Sequence, residues 1–240
     1  MPESALDPPT QVPDEPSEAV LRSFFGDRVG LARAFASHLA DTGVSRGLLG
    51  PREVPRLWSR HVLNCAAMAS LVPADAQVVD VGSGAGLPGV VLALARPDVK
   101  VTLVEPLLRR VSWLEEVVDD LGLDTVSVVR GRAEELRGYA FDVATARAVA
   151  ALERLALWCL PLLREGGVLL ALKGRSAADE LAHAEPALRR LGAVSWAVRE
   201  VGGSVLDEPT TVVEVHKGSG KTMPSKSRTA RGGSDRRPRS

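Results

Sequence analysis

One stretch, Val78-Val79-Asp80-Val81-Gly82-Ser83-Gly84-Ala85-Gly86-Leu87-Pro88-Gly89, constrains the fold more than any other. An apolar run with an acid inside it ends in a burst of glycines, and an apolar helical pattern follows from Val90 to Ala95. This order reads as a buried strand, a tight turn and the start of a helix. Gly82, Gly84 and Gly86 allow positive φ and carry no Cβ, so a ligand can lie against bare backbone. Pro88 suits a first helical turn, where its missing N–H costs nothing. The open N–H groups of that turn would favour an anionic or electron-rich ligand.

From Ala76 onward, short apolar strands alternate with amphipathic helices. Strands are expected at 77–81, 100–104, 125–129, 141–146, 166–172, 194–200 and 210–216. Helices are expected near 87–96, 107–121, 133–137, 150–164 and 177–191. Such alternation argues an α/β fold, a mostly parallel seven-stranded sheet covered on both faces. The last two strands lack a long helix between them, which predicts antiparallel pairing at one edge. Upstream, helical stripes begin near Glu18 (Leu21, Phe24, Phe25, then Val29, Ala32, Phe35, Leu39), and one further helix is expected over about 54–71. The expected organisation is an acidic disordered N-terminus (1–17), an N-terminal helical segment (18–73), the sheet domain (74–217) and a disordered basic tail (218–240).

Formal net charge is zero, but the charges are unevenly placed. Residues 1–18 hold acids and no bases, while residues 217–240 hold eight Lys or Arg against one acid, Asp235. A tail this basic reads as an interaction segment for a polyanion or as a solubilising extension. No apolar run approaches the ~20 residues that cross a membrane, and the N-terminus lacks the basic-then-apolar order of a signal peptide. Cys65 and Cys159, each inside an apolar helical pattern, fit buried thiols of a cytoplasmic protein. The four histidines, His38, His61, His183 and His216, lack metal-ligand spacing, so no metal is expected.

In a doubly wound sheet, ligands bind beyond the carboxyl ends of the strands. The second strand ends at Glu105, roughly twenty residues past the glycines, where a carboxylate can hold a ribose diol. That layout also serves NAD, and Gly84-x-Gly86-x-x-Gly89 satisfies the dinucleotide pattern. Asp80, two residues before Gly82, and the strand count favour S-adenosyl-L-methionine, with Asp80 near the cofactor's methionine end. Ala133 and Glu134, after the third strand, are candidates to read the adenine edge.

The segment after strand four contains neither an Asn/Asp-Pro-Pro-aromatic loop nor a Pro-Cys nucleophile. This absence points to an acceptor that is already nucleophilic, such as guanine N7, for which catalysis is mainly alignment. Arg147, among small apolar neighbours, is the candidate catalytic residue, placed to hold the cofactor carboxylate, a phosphate or the acceptor base. A structural salt bridge to a sheet-end acid is its competing role. Arg109, Arg110, Lys173 and Arg175 are candidates for a basic rim binding an RNA backbone.

The chain resembles the ribosomal RNA small subunit methyltransferase G family, also called glucose-inhibited division protein B. The motifs that carry the resemblance are Asp80 to Gly89, Glu105-x-x-x-Arg109-Arg110, Arg147-Ala148, Leu172-Lys173-Gly174 and Arg60-His61-Val62-Leu63-Asn64. It covers about residues 18–216, and Leu87-Pro88-Gly89 after the glycine loop is its most specific element. Asn64-Cys65 and Glu105-Pro106 each stand where the family usually has Asp-Ser. The resemblance implies a class I S-adenosylmethionine-dependent methyltransferase, Rossmann-like, that methylates guanine N7 of 16S rRNA in the decoding region of the small subunit. It implies Gly82, Leu87, Ala133, Glu134 and Arg147 as cofactor contacts. A monomer is expected. The alternatives are a small-molecule methyltransferase and a non-catalytic RNA-binding protein on the same fold.

Overall fold

The computed structural model describes residues 12–136, 138–147 and 149–219. Its strands are β1 (Gln77–Val81), β2 (Lys100–Glu105), β3 (Val126–Arg130), β4 (Phe141–Arg147), β5 (Leu163–Lys173), β6 (Ala193–Val201) and β7 (Thr210–Lys217). Its α-helices are α1 (Glu18–Phe25), α2 (Val29–His38), α3 (Leu63–Ala67), α4 (Gly89–Ala95), α5 (Leu108–Asp120), α6 (Leu152–Cys159) and α7 (Ala177–Arg190). The seven strands form one sheet in the order β3-β2-β1-β4-β5-β7-β6. Strands β1 to β5 pair in parallel, and β7 runs antiparallel to both β5 and β6. The antiparallel pairing of the last two strands at an edge is as expected.

Side chains of successive strand residues point to opposite faces, so one strand feeds two cores. Val78, Leu103, Val143 and Leu170 pack with α1, α2 and the 57–72 segment through Leu21, Phe35, Trp58 and Met68. Val79, Val104, Ala144 and Leu169 pack on the other face with Leu152, Leu155, Cys159 and Leu188. The N-terminal helices therefore close one face of the sheet and share its core. Ser17 caps α1, its hydroxyl accepting from the Val20 amide at 3.4 Å, with Glu18 in the first turn where the helix dipole favours an acid.

Three expected helices differ. The 54–71 helix is a succession: a 3-10 segment Pro51–Arg56, a π segment Leu57–Val62, α3, and a 3-10 segment Met68–Leu71. Pro55 has no N–H to donate, so a regular ladder cannot run through this stretch. The short helix near 133–137 is a 3-10 turn, Ala133–Glu135. The 150–164 helix ends at Cys159, followed by a turn over Leu160–Leu162, and β5 starts at Leu163 instead of 166. Gly166 at φ 74° and a register shift opposite Phe141/Val143 carry β5 through an irregularity, which hid its early start. Both cysteines are free and buried.

Among the described residues no helix is long and apolar enough to cross a membrane. Within the same residues, no group of three His, Cys, Asp or Glu could hold a metal ion. The basic tail lies almost wholly outside the described residues.

Candidate active site

The glycine loop leaves the carboxyl end of β1 and folds over the end of β2. The Gly82 and Ser83 amides both donate to the Val104 carbonyl, at 2.9 and 3.1 Å. Gly82, Gly84 and Gly86 have φ of 72°, 57° and 75°, the left-handed region that favours glycine. Space is the second constraint: a Cβ on Gly86 would lie 2.6 Å from Val90 Cγ2. On Gly89 it would lie 2.3 Å from Leu103 Cδ2 and 2.7 Å from Asp80 Oδ2. Pro88 stands just before α4 and not inside it. The first amides of α4 are not open as expected: Gly89 donates to Asp80 Oδ2 at 3.0 Å and Val90 to the Gly86 carbonyl at 2.9 Å.

Two buried carboxylates frame the loop. Asp80 is fully buried, and its Oδ1 has no hydrogen-bond partner. Burial pushes its pKa up to about 7, raised further by the Glu105 charge and opposed by the Gly89 N–H. Glu105 is also buried, accepting from the Gly84 amide at Oε2 and the Leu107 amide at Oε1, each at 3.0 Å. Oε2 also accepts from Arg110 Nη1 at 3.5 Å, so Oε1 is the oxygen with a lone pair left for a further donor.

Arg147 ends β4 and reaches the π segment. Nη1 donates to the His61 carbonyl (3.5 Å) and lies 3.4 Å from Cys65 Sγ; Nη2 donates to the Arg60 carbonyl (3.4 Å) and to His61 Nδ1. Among the described residues no carboxylate lies within ion-pair distance of it. Its hydrogen-bond partners are neutral, and its charge acts on the Asp80 carboxyl, whose pKa it lowers. Beside it opens a cleft of about 700 Å³, lined by Arg60, Asn64, Arg147, Val149, Lys173, Arg175 and Thr210 among others. Val149 separates this cleft from the glycine loop, its Cγ2 only 3.0 Å from where a Gly82 Cβ would stand.

A family model described as rRNA small subunit methyltransferase G matches residues 29–207. The chain belongs to the rRNA small subunit methyltransferase G family. A protein of that description from Renibacterium salmoninarum is 57% identical over 210 residues, 85% of this chain and 98% of the relative. Another, from Pseudarthrobacter chlorophenolicus, is 58% identical over 192 residues, 80% of this chain and 89% of the relative. The fold matches a putative S-adenosyl-L-methionine-dependent methyltransferase from Methanococcus maripaludis, with TM-score 0.55 at 12% identity, covering 82% and 95% of the two chains. It also matches M. jannaschii TYW2 in complex with AdoMet, with TM-score 0.51 at 16% identity, covering 67% and 76%. The chain is thus a class I S-adenosylmethionine-dependent methyltransferase.

The residues present suit that cofactor. The orphaned Asp80 Oδ1 lacks a donor that an α-ammonium would supply, and the lone pair left on Glu105 Oε1 suits a ribose hydroxyl. Leu87, half-buried, packs against the core beside the loop. Ala133 is buried and Glu134 exposed at the start of the 3-10 turn after β3. Glu135, also exposed, caps that turn by accepting from the Arg132 amide at 3.0 Å.

The four rim candidates separate. Arg109 and Arg175 are exposed. Arg110 lies against Glu105 Oε2 at 3.5 Å. Lys173, with 7% of its side chain exposed, binds Glu180 at 2.7 Å and the Ala150 carbonyl at 2.8 Å. Sequence reasoning missed Glu53, Glu180 and Thr210. Thr210 lines the cleft and donates to Asn64 Oδ1 at 3.1 Å. A clue existed only for the third: Thr210 starts the predicted seventh strand.

Proposed function

We propose that this chain transfers a methyl group from S-adenosylmethionine to N7 of a guanine in 16S rRNA, in the decoding region of the small ribosomal subunit, acting as a monomer. The observation that carries the reading is Arg147: a guanidinium with no carboxylate within ion-pair distance among the described residues, lining the cleft at the carboxyl end of β4. When bound, the cofactor supplies an electrophilic methyl on a sulfonium sulfur. Asp80, Gly82, Gly84, Gly86, Leu87, Glu105, Ala133 and Glu134 would hold and orient it.

Guanine N7 carries an in-plane lone pair and needs no base. The cleft matches that demand. Of its carboxylates, Glu180 is paired with Lys173, and Glu208 stands exposed at the opening. Its remaining charge is cationic, from Arg147 and Arg175, with Arg60 shared with Glu53 at 3.8 Å. Arg147 would hold the acceptor base, a phosphate or the cofactor carboxylate in line, an alignment effect worth several powers of ten in rate. Arg109 and Arg175 would hold the RNA backbone, and the basic tail would add affinity.

The deciding experiment is transfer of labelled methyl to small-subunit rRNA lacking the modification, followed by mapping of 7-methylguanine. One mapped site in that RNA is expected. Transfer to a metabolite with none to rRNA would favour the small-molecule reading, and cofactor binding with no transfer at all would favour the non-catalytic one.

A further inference from the structure

His61 sits between Glu53 and Arg147, buried to 7% exposure. Its Nε2 is 2.8 Å from Glu53 Oε2, and its Nδ1 meets Arg147 Nη2. A guanidinium can only donate, so Nδ1 must accept, and Nε2 must carry the proton that goes to Glu53. One tautomer of a neutral imidazole satisfies both contacts. Burial and the Arg147 charge hold the imidazole below its usual range, in keeping with a neutral ring. Glu53 is itself oriented, with Arg56 Nη2 at 3.1 Å from Oε1 and Arg60 Nε at 3.8 Å from Oε2. His61 and Arg60 lie in the π segment, and the carbonyls of both also accept from Arg147. Interruptions of this kind in a helix are frequent at functional sites because they leave carbonyls free.

We infer that His61, its tautomer set by Glu53, is a positioning residue that aims the Arg147 guanidinium at the reacting centre. The inference rests on the role proposed above for Arg147. It assigns a function to a helical segment outside the glycine-loop domain: Glu53 fixes the ring proton, the ring presents a lone pair, and the guanidinium is held in one orientation. Geometry of this kind matters because a misplacement of about 1 Å can cost about a hundredfold in rate.

The test measures methyl transfer to unmodified small-subunit rRNA for H61A, H61N, R147A and the H61A/R147A pair, with thermal midpoints as a check on folding. Asparagine can place an acceptor where Nδ1 stands without restoring the ring. H61A should lower kcat about 10- to 100-fold, and H61N should recover most of that loss. Because His61 acts through Arg147, the double variant should be no slower than R147A alone. A near-wild-type H61A, an H61N as slow as H61A, or losses that multiply in the pair would each overturn the positioning role. A near-wild-type R147A would instead overturn the reading of Arg147 on which this rests. If H61A does not fold, the nitrogen chemical shifts of His61 in the intact protein decide. Protonated Nε2 with bare Nδ1 at neutral pH is required, and the opposite tautomer or an imidazolium would exclude the mechanism.

Discussion

Asp80 reaches across the glycine loop to Gly89, its Oδ2 accepting from the Gly89 amide at 3.0 Å while Oδ1 has no partner. This half-satisfied buried carboxyl sets a pH dependence. Its folded pKa, about 7, stands above its ordinary 3.8, so the folded cofactor-free protein binds the extra proton between those values. Asp80 therefore lowers stability progressively as pH rises from about 4 to 7. In urea titrations at pH 5 and 8, D80N should gain on wild type at the higher pH, by at most about 1.4 kcal/mol per pH unit. Cofactor affinity should change the other way, weakening below pH 7 in wild type, because the cofactor's ammonium prefers the carboxylate. A wild-type affinity flat from pH 5.5 to 8 would remove Asp80 from the site.

Gly89 is the close-contact glycine of the loop, with negative φ but no room for a methyl group. G89A pushes a Cβ toward Leu103 Cδ2 and Asp80 Oδ2 and should cost about 2–3 kcal/mol, read from the denaturant midpoint. Gly30, exposed inside α2 with nothing within 4 Å of an added Cβ, is the contrast. There G30A should stabilise by about 1 kcal/mol through helix propensity. Equal effects at the two positions would mean that the loop relaxes around the methyl.

These two features were legible in the sequence for a local reason. Positive φ demands glycine, a buried strand demands apolar alternation, and Glu105 follows the loop at a fixed spacing, so Gly82, Gly84, Gly86, Asp80 and Glu105 announce themselves within about thirty residues. The environment of Arg147 did not. Its partners Arg60 and His61 lie 87 and 86 positions away. They are reached only because the N-terminal helices fold onto the sheet. Hydrophobic periodicity gave helix over 54–71 but is blind to whether bonds run to the third, fourth or fifth residue. The π segment that presents Arg60 and His61 was therefore invisible. Lys173 read as a rim cation because its partner Glu180 lies on the far side of a turn, at the start of α7.

Lys173 and Glu180 tie two elements together. Glu180 Oε2 accepts from Lys173 Nζ at 2.7 Å and from the Leu152 amide at 3.1 Å, at the start of α6. Although burial pushes the Glu180 carboxyl up, Lys173 together with the Ser176 hydroxyl and the Leu152 amide outweighs it and holds the group below its ordinary 4.5. A depressed carboxyl stabilises the fold above its unfolded pKa and loses that contribution as pH falls through the folded value. K173M should cost about 2–3 kcal/mol at pH 7, and the gap to wild type should narrow in acid below pH 4.5. A gap independent of pH would mean that the lysine contributes packing and not charge.

Arg109 and Arg110 are neighbours in sequence with different surroundings, and they should separate experimentally. Arg110 is half-buried against Glu105, so R110A should weaken cofactor binding by loosening the carboxylate that anchors the glycine loop. Arg109 is exposed and, among the described residues, has no ion-pair partner, as is true of Arg175. R109A and R175A should leave cofactor affinity and thermal midpoint unchanged while weakening rRNA binding. Each should reduce the slope of log affinity against log salt by about 0.7 to 0.9, as expected when one phosphate is no longer neutralised. Titrations at several salt concentrations read this directly. An unchanged slope in R109A and R175A would move the RNA path away from the β2 and β5 ends. A lowered slope in R110A with intact cofactor binding would reverse the assignment of the pair.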